Sequence, residues 1–227
     1  MKLSQGLVCL PFALLIAASA AWAESEPTEV SIEGLNLVHK DRRGELYAED
    51  GVDWNEYTQI KLERATVSFR KNWKRDQNRG EPFKVSDQDM ERIKSGLSDL
   101  FNEVFTEELT QKGGYTITES NGADVMTLVP RIVDLDVAAP DTRNNPGITK
   151  TYVNQAGRMT LILEIYDSES GDLLAKASHR QDAPQYTYMR WASSVSNTAE
   201  ARRMLQNWAD KLVKRLDEAR SESASTE

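Results

Sequence analysis

Apolar residues recur at two distinct spacings along this chain, and the spacings divide it into helices and strands. From Asp87 to Lys112, Met90, Ile93, Leu97, Leu100, Phe101, Val104, Phe105 and Leu109 fall three or four residues apart and build one apolar stripe on a helix. Ser86 and Asp89 form a capping-box start, and Gly113-Gly114 suits the left-handed turn that ends a helix. At 1.5 Å per residue the helix is about 39 Å long, enough to cross a whole sheet. A second stripe, Ala201, Leu205, Trp208, Leu212 and Leu216 with Met204 alongside, predicts a closing helix over about 198–219.

Alternation marks the strands. In Gln59–Arg70, Ile60 and Leu62 alternate in one phase and Ala65, Val67 and Phe69 in the other, which predicts one strand with a bulge near Arg64. A short strand is expected at Tyr115–Glu119, and Asn121-Gly122 turns the chain into a long strand over Asp124–Val137. There Met126, Leu128 and Ile132 share one phase and Val133, Leu135 and Val137 the other, with Pro130 at the expected switch. Met159, Leu161, Leu163 and Ile165 define a further strand, and a turn at Ser168–Asp172 leads into another at Leu173–Arg180. Residues 139–150 read as a long loop. Residues 35–57 carry apolar side chains without a sustained period and read as an irregular segment, as does the aromatic stretch holding Tyr186, Tyr188 and Trp191. Two long helices with single stripes must cover one face of one sheet. The expected fold is therefore α+β: a two-layer sandwich, a mostly antiparallel sheet of four to five strands with two long helices on one face.

The N-terminus follows neither spacing. Lys2, the apolar run Leu7–Ala18 and the small-x-small pattern Ala21-Trp22-Ala23 form a secretory signal over residues 1–23, cut after Ala23. Residues 24–34 are an acidic, mobile lead-in, residues 35–219 a single α+β domain, and residues 220–227 a polar, disordered tail. The one cysteine, Cys9, precedes most of the apolar run and is not at the cleavage point, so the exported protein is expected to be periplasmic and not lipidated. It would have neither a disulfide nor a cysteine-based metal site.

Charge changes the picture next. The chain has 28 Lys and Arg against 36 Asp and Glu, a net charge of −8, which argues against nucleic acid as a partner. The distribution is uneven: residues 61–84 hold eight basic and three acidic side chains, while everything else after the leader sums to −14. Arg70, Lys71, Trp73, Lys74, Arg75 and Arg79 combine cations with an aromatic residue. They are the candidate binding residues, for an envelope protein, anionic lipid or lipopolysaccharide, with Trp73 as apolar anchor.

Catalytic chemistry finds little support. His39 and His179 have no activated serine near them and read as surface or satisfied histidines. No phosphate-cradling glycine loop and no cofactor motif is present. Asp134, Asp136 and Asp141 form the one weak alternative, a divalent-cation site at the end of a strand, whose plainer explanation is strand alternation on a solvent face.

Several segments in order resemble a known family. They are Val52-Asp53-Trp54 with Tyr57, Val67-Ser68-Phe69-Arg70-Lys71-Asn72-Trp73, the stretch from Leu109 to Tyr115, and Asp134-Leu135-Asp136 with Ala139-Pro140-Asp141. Gly157-Arg158-Met159-Thr160-Leu161, Tyr166-Asp167 with Gly171, and Asn197 to Trp208 with Leu212 complete the set. Together they resemble DUF3313, an uncharacterised domain of exported proteins and lipoproteins of Gram-negative bacteria, over about residues 35–218. The resemblance implies no activity and no catalytic residues. Where many relatives have a lipid-bearing cysteine at the cleavage point, this chain has Glu24. The expectation is a non-enzymatic, periplasmic accessory or binding protein of the envelope. The alternatives are a cation-dependent hydrolase using Asp134, Asp136 and Asp141, or, by analogy of layout, an outer-membrane assembly factor.

Overall fold

In the computed structural model, which describes residues 34–80, 84–138, 151–153, 157–183, 190–192 and 194–224, the chain opens with β1 (Asn36–Lys40) and β2 (Gly44–Ala48). β3 (Gln59–Leu62) and β4 (Thr66–Phe69) precede a short helix, α1 (Trp73–Gln77), and the long α2 (Asp87–Gln111). Then come β5 (Thr116–Ile117), β6 (Val125–Val137), β7 (Thr151–Val153), β8 (Gly157–Asp167), β9 (Leu173–Asp182), β10 (Arg190–Ala192) and α3 (Ser194–Ser223). The architecture is α+β as expected, but the sheet is larger. It has eight strands in the order β1-β2-β9-β8-β6-β3-β5, with β4 also on β6, and β7 and β10 form a separate antiparallel ribbon. The leader, the lead-in through residue 33, the loop 139–150 with Asp141, and Tyr186 and Tyr188 lie outside the described residues.

The additional strands have identifiable causes. Residues 35–57 contain a hairpin, β1 with β2, which a bulge between Leu37 and His39 shifts by one residue. That shift erases the period from the sequence. The stretch 59–70 is two strands rather than one bulged strand, and both run parallel to β6. Parallel pairing needs a crossover, and α2 supplies it between β3–β4 and β5–β6. At the interruption Ser98 of α2 donates its hydroxyl to Ala65 O at 2.7 Å, and Arg64 pairs with Asp99 at 2.6 Å.

Pro130 fits this break. On that edge β3 ends its pairing at Leu128 and β4 begins at Arg131, so the amide that proline lacks has no strand to meet. Burial alternates through Pro130 without a change of phase. The shift comes later, between Val133 and Asp136, where Asp134 adopts a left-handed φ of 52°.

One face of the sheet is dry. Ile60, Met126, Leu128, Ile132, Met159, Leu161, Leu163 and Ile165 meet Leu97, Phe101, Val104, Phe105 and Leu109 of α2 and Met204, Leu205, Trp208, Val213 and Leu216 of α3 in one cluster. Arg202–Glu103 at 2.8 Å and Lys112–Asp210 at 2.7 Å tie the helices together, running in the same direction. α2 begins in a complete capping box at Ser86 and Asp89. Burial alone would raise the Asp89 carboxyl, but hydrogen bonds from the Ser86 hydroxyl and amide, with Arg92, lower it to about 2.

α3 continues past the expected end at 219 and takes in residues 220–223. Arg220 explains the extension. It donates to Tyr57 O at 2.6 Å and lies 4.3 Å over the Tyr115 ring, which docks the last turns of α3 on the sheet.

Candidate functional site

β6, β8 and the residue after β9 carry apolar side chains to one end of the sheet, where Leu135, Met159 and Ala183 are buried. There the N-terminal parts of α2 and α3 leave a cleft of about 520 Å³. Its floor is Leu97, Leu100, Leu135, Met159, Ala183 and Met204, all aliphatic or thioether side chains. Arg92, Asp99, Glu103, Asp136, Arg158, Glu200 and Arg202 stand around it. Each of these charges has a partner, in the rim or beside it: Arg92 pairs with Asp89 at 2.8 Å, Arg202 with Glu103 at 2.8 Å, and Arg158 with Asp136 at 3.1 Å. Asp99 pairs with Arg64 at 2.6 Å and Glu200 with Arg203 at 3.0 Å. The rim is therefore polar but compensated, around an apolar floor.

Three backbone and side-chain details shape the cleft. Gly96 sits in the middle of α2, where glycine costs a helix about 1 kcal/mol relative to alanine, and a Cβ there would meet nothing within 4 Å. Gly157, at φ 156°, begins β8 so close to β6 that a Cβ would fall 2.3 Å from Asp136 O. Asn197 donates Nδ2 to Ala138 O at 3.4 Å, while its Oδ1 is buried without a hydrogen-bond partner among the described residues.

The basic segment is placed differently from its expected role. Trp73 is 1% exposed, stacks on Phe69 at 4.1 Å between centroids and donates Nε1 to Val137 O at 3.2 Å. It anchors α1 to the end of the sheet and offers nothing to an external surface. Arg70 lies between Asp76 at 2.8 Å and Asp136 at 2.9 Å, and the Asp76 hydrogen bond, with Asp136, raises its already high pKa against the opposing cost of burial. Lys74 pairs with Asp87 at 2.7 Å and Arg75 with Asp76 at 3.2 Å. Lys71 and Arg79 are exposed, with no ion pair among the described residues. Arg70 thus ties the end of β4 to α1 and β6, Lys74 ties α1 to the start of α2, and Arg75 pairs within α1.

Asp134 and Asp136 are held in different surroundings. Asp136 is neutralised by two guanidinium groups, Arg70 and Arg158, and Asp134 is exposed on the bulge. Among the described residues no group of three His, Cys, Asp or Glu side chains gathers. Asp141, the third member of the trio read as a hydrolase centre, lies outside the described residues.

His179 is engaged with α3. Trp208 donates Nε1 to His179 Nδ1 at 3.0 Å, and Lys211 Nζ lies 2.8 Å from Nε2. Burial first, then the Lys211 charge, lower the imidazole pKa below its usual 6.5, with Arg43 and His39 adding to the effect and Asp41 opposing it. The unfolded chain binds this proton more readily, so the contribution to stability is complete above the unfolded value and is lost as pH falls through it. The melting temperature is expected to fall by a few degrees between about pH 8 and about pH 5. His179→Gln should flatten that part of the profile when melting is followed by circular dichroism.

The cleft escaped the sequence reading because its residues come from four elements, α2, β6, β8 and α3, with Ala183 just after β9. Two signals did point to it: a glycine inside the apolar stripe of α2, and a glycine at the start of β8.

A family model described as "Protein of unknown function (DUF3313)" matches residues 32–212. No curated protein matches the chain. Among solved structures, it is similar to a minor lipoprotein from Acinetobacter baumannii, with 12% identity over 75% of this chain and 95% of that one and a TM-score of 0.35. A protein from Xanthomonas campestris shows 9% identity over 74% and 89% of the two chains, with a TM-score of 0.41. The PelC dodecamer from Paraburkholderia phytofirmans shows 11% identity over 72% and 96%, with a TM-score of 0.32. Likenesses this distant carry nothing about activity, and the site stands on its own residues.

Proposed function

Since the chain belongs to the DUF3313 family, whose function is unknown, we propose from its own residues that it is a non-enzymatic accessory protein of the bacterial envelope. It is exported by residues 1–23 and binds a component of that compartment in the cleft between α2 and α3. The observation that carries this reading is the cleft itself. An apolar floor inside a ring of self-compensated charges, at about 520 Å³, has the size and lining of a binding site, for which ~300–1,000 Å³ is usual. Among the described residues no catalytic constellation faces it. The leader pattern supports the compartment, and no described helix is long and apolar enough to cross a membrane.

The basic segment supports less. With Trp73 buried and Arg70, Lys74 and Arg75 paired, attraction to an anionic surface would fall to Lys71 and Arg79.

A photo-crosslinking amino acid tests the proposal when placed at Thr198, on the cleft, and separately at Lys214, exposed further along α3. The expected result is an envelope component captured in the periplasmic fraction from Thr198 and not from Lys214. Identical products from both positions, or retention of the full chain in the cytoplasm, would overturn it.

A further inference from the structure

We infer that the cleft between α2 and α3 holds an uncharged amphiphile, with an aliphatic tail on the floor and a hydroxyl-bearing head at Asn197. The inference rests on the cleft being the binding site and goes on to the chemistry of its ligand. Leu97, Leu100, Leu135, Met159 and Met204 present only branched aliphatic and thioether groups to the cleft. Such a lining accepts a hydrocarbon chain, and methionine adapts to its path. Among the described residues no aromatic ring lines the cleft to stack on a planar ligand.

Gly96 adds a second observation. A glycine in the interior of a helix, where it lowers stability and where a side chain would have room, marks a place where a ligand approaches the backbone closely. At this residue the cleft reaches the α2 main chain, and a large side chain there would narrow it.

The head group is read from charge and from one unused acceptor. Arg92, Arg158 and Arg202 already hold carboxylate partners, and Asp99 and Glu200 already hold guanidinium partners. An anionic or cationic head would have to be desolvated beside pairs that do not need it. Asn197 Oδ1, by contrast, is a buried acceptor without a donor among the described residues. Buried acceptors are nearly always satisfied, and a hydroxyl or an amide N–H on a neutral head supplies the missing donor.

The test uses the chain after removal of its leader, with the neutral fluorophore N-phenylnaphthylamine as probe and three competitors: 1-lauroylglycerol, laurate and dodecylphosphocholine. The expected result is saturable binding of one fluorophore, displaced by 1-lauroylglycerol at concentrations about tenfold lower than by laurate or dodecylphosphocholine, the size of one lost hydrogen bond or one unmatched charge. Gly96→Trp should abolish fluorophore binding without lowering the melting temperature, because tryptophan has the higher helix propensity and a Cβ at this position meets nothing within 4 Å. Asn197→Leu should weaken 1-lauroylglycerol about tenfold and leave the fluorophore unaffected. Absence of saturable binding, equal displacement by laurate, or wild-type binding by Gly96→Trp would each overturn the inference. Capture of a protein partner from Thr198 together with any of those results removes the lipid-like ligand and leaves the cleft as a protein-binding site.

Discussion

Replacing Trp73 by alanine is expected to lower the free energy of unfolding by about 3–5 kcal/mol, the usual cost of truncating a fully buried large aromatic residue. The side chain is 1% exposed, shares a stacked contact with Phe69 and closes the end of β6 through its bond to Val137 O. Truncation leaves a cavity, removes the stack and leaves Val137 O with only the longer bond from Gln77 Nε2, at 3.4 Å. Trp73→Phe keeps most of the contact and gives up the indole N–H, so it should cost little more than one hydrogen bond, about 1 kcal/mol. Lys71→Glu and Arg79→Glu change only exposed side chains and should stay within about 0.5 kcal/mol of wild type. Urea unfolding followed by tryptophan fluorescence and circular dichroism separates these cases. A Trp73→Ala protein as stable as wild type but deficient in envelope binding would restore the surface-anchor role.

The second large effect belongs to Gly157. An alanine there would place its Cβ 2.3 Å from Asp136 O, in a backbone region at φ 156° that L-residues rarely adopt. Either β8 moves away from β6 or the bulge beside Asp134 rearranges, at a cost of about 1–3 kcal/mol. Movement at this point also displaces Arg158 from Asp136 and Met159 from the cleft floor. Gly157→Ala should therefore lose stability and fluorophore binding together. Gly171 supplies the contrast. It has a positive φ of 76° but nothing within 4 Å of a Cβ, so Gly171→Ala should lose about 1–2 kcal/mol from backbone strain alone and bind normally.

Where one physical requirement controls a stretch of sequence, the pattern is readable. The stripe of α2 and the alternation of β8 are each set by burial against one neighbour, and both elements lie where periodicity predicts them. Where two requirements meet, the pattern misleads. Pro130 looks like a phase switch on chemical grounds, yet it keeps the phase because the edge it would disrupt is empty between β3 and β4. Trp73 sits among cations that resemble a binding surface, yet the indole itself is buried, and Arg70 pairs with Asp136, 66 residues away, which no local window spans. The cleft is hidden for a related reason. Its residues alternate or repeat as ordinary core residues do, and only Gly96 and Gly157 depart from that behaviour.

The position of β6 also bears on how the protein is made. Its partners on one edge, β3 and β4, precede it in the chain, whereas β8, on the other edge, follows it, and β2 likewise waits for β9. A growing or translocating chain that has reached Val137 thus holds a thirteen-residue strand with one edge unpaired and a hairpin with no sheet to join. Such edges invite pairing between nascent chains. Closure comes only when residues through Asp182 have been delivered, so the two halves of the sheet are completed by a single late hairpin, β8 with β9. Holding the chain extended until that hairpin has been released would avoid the exposure.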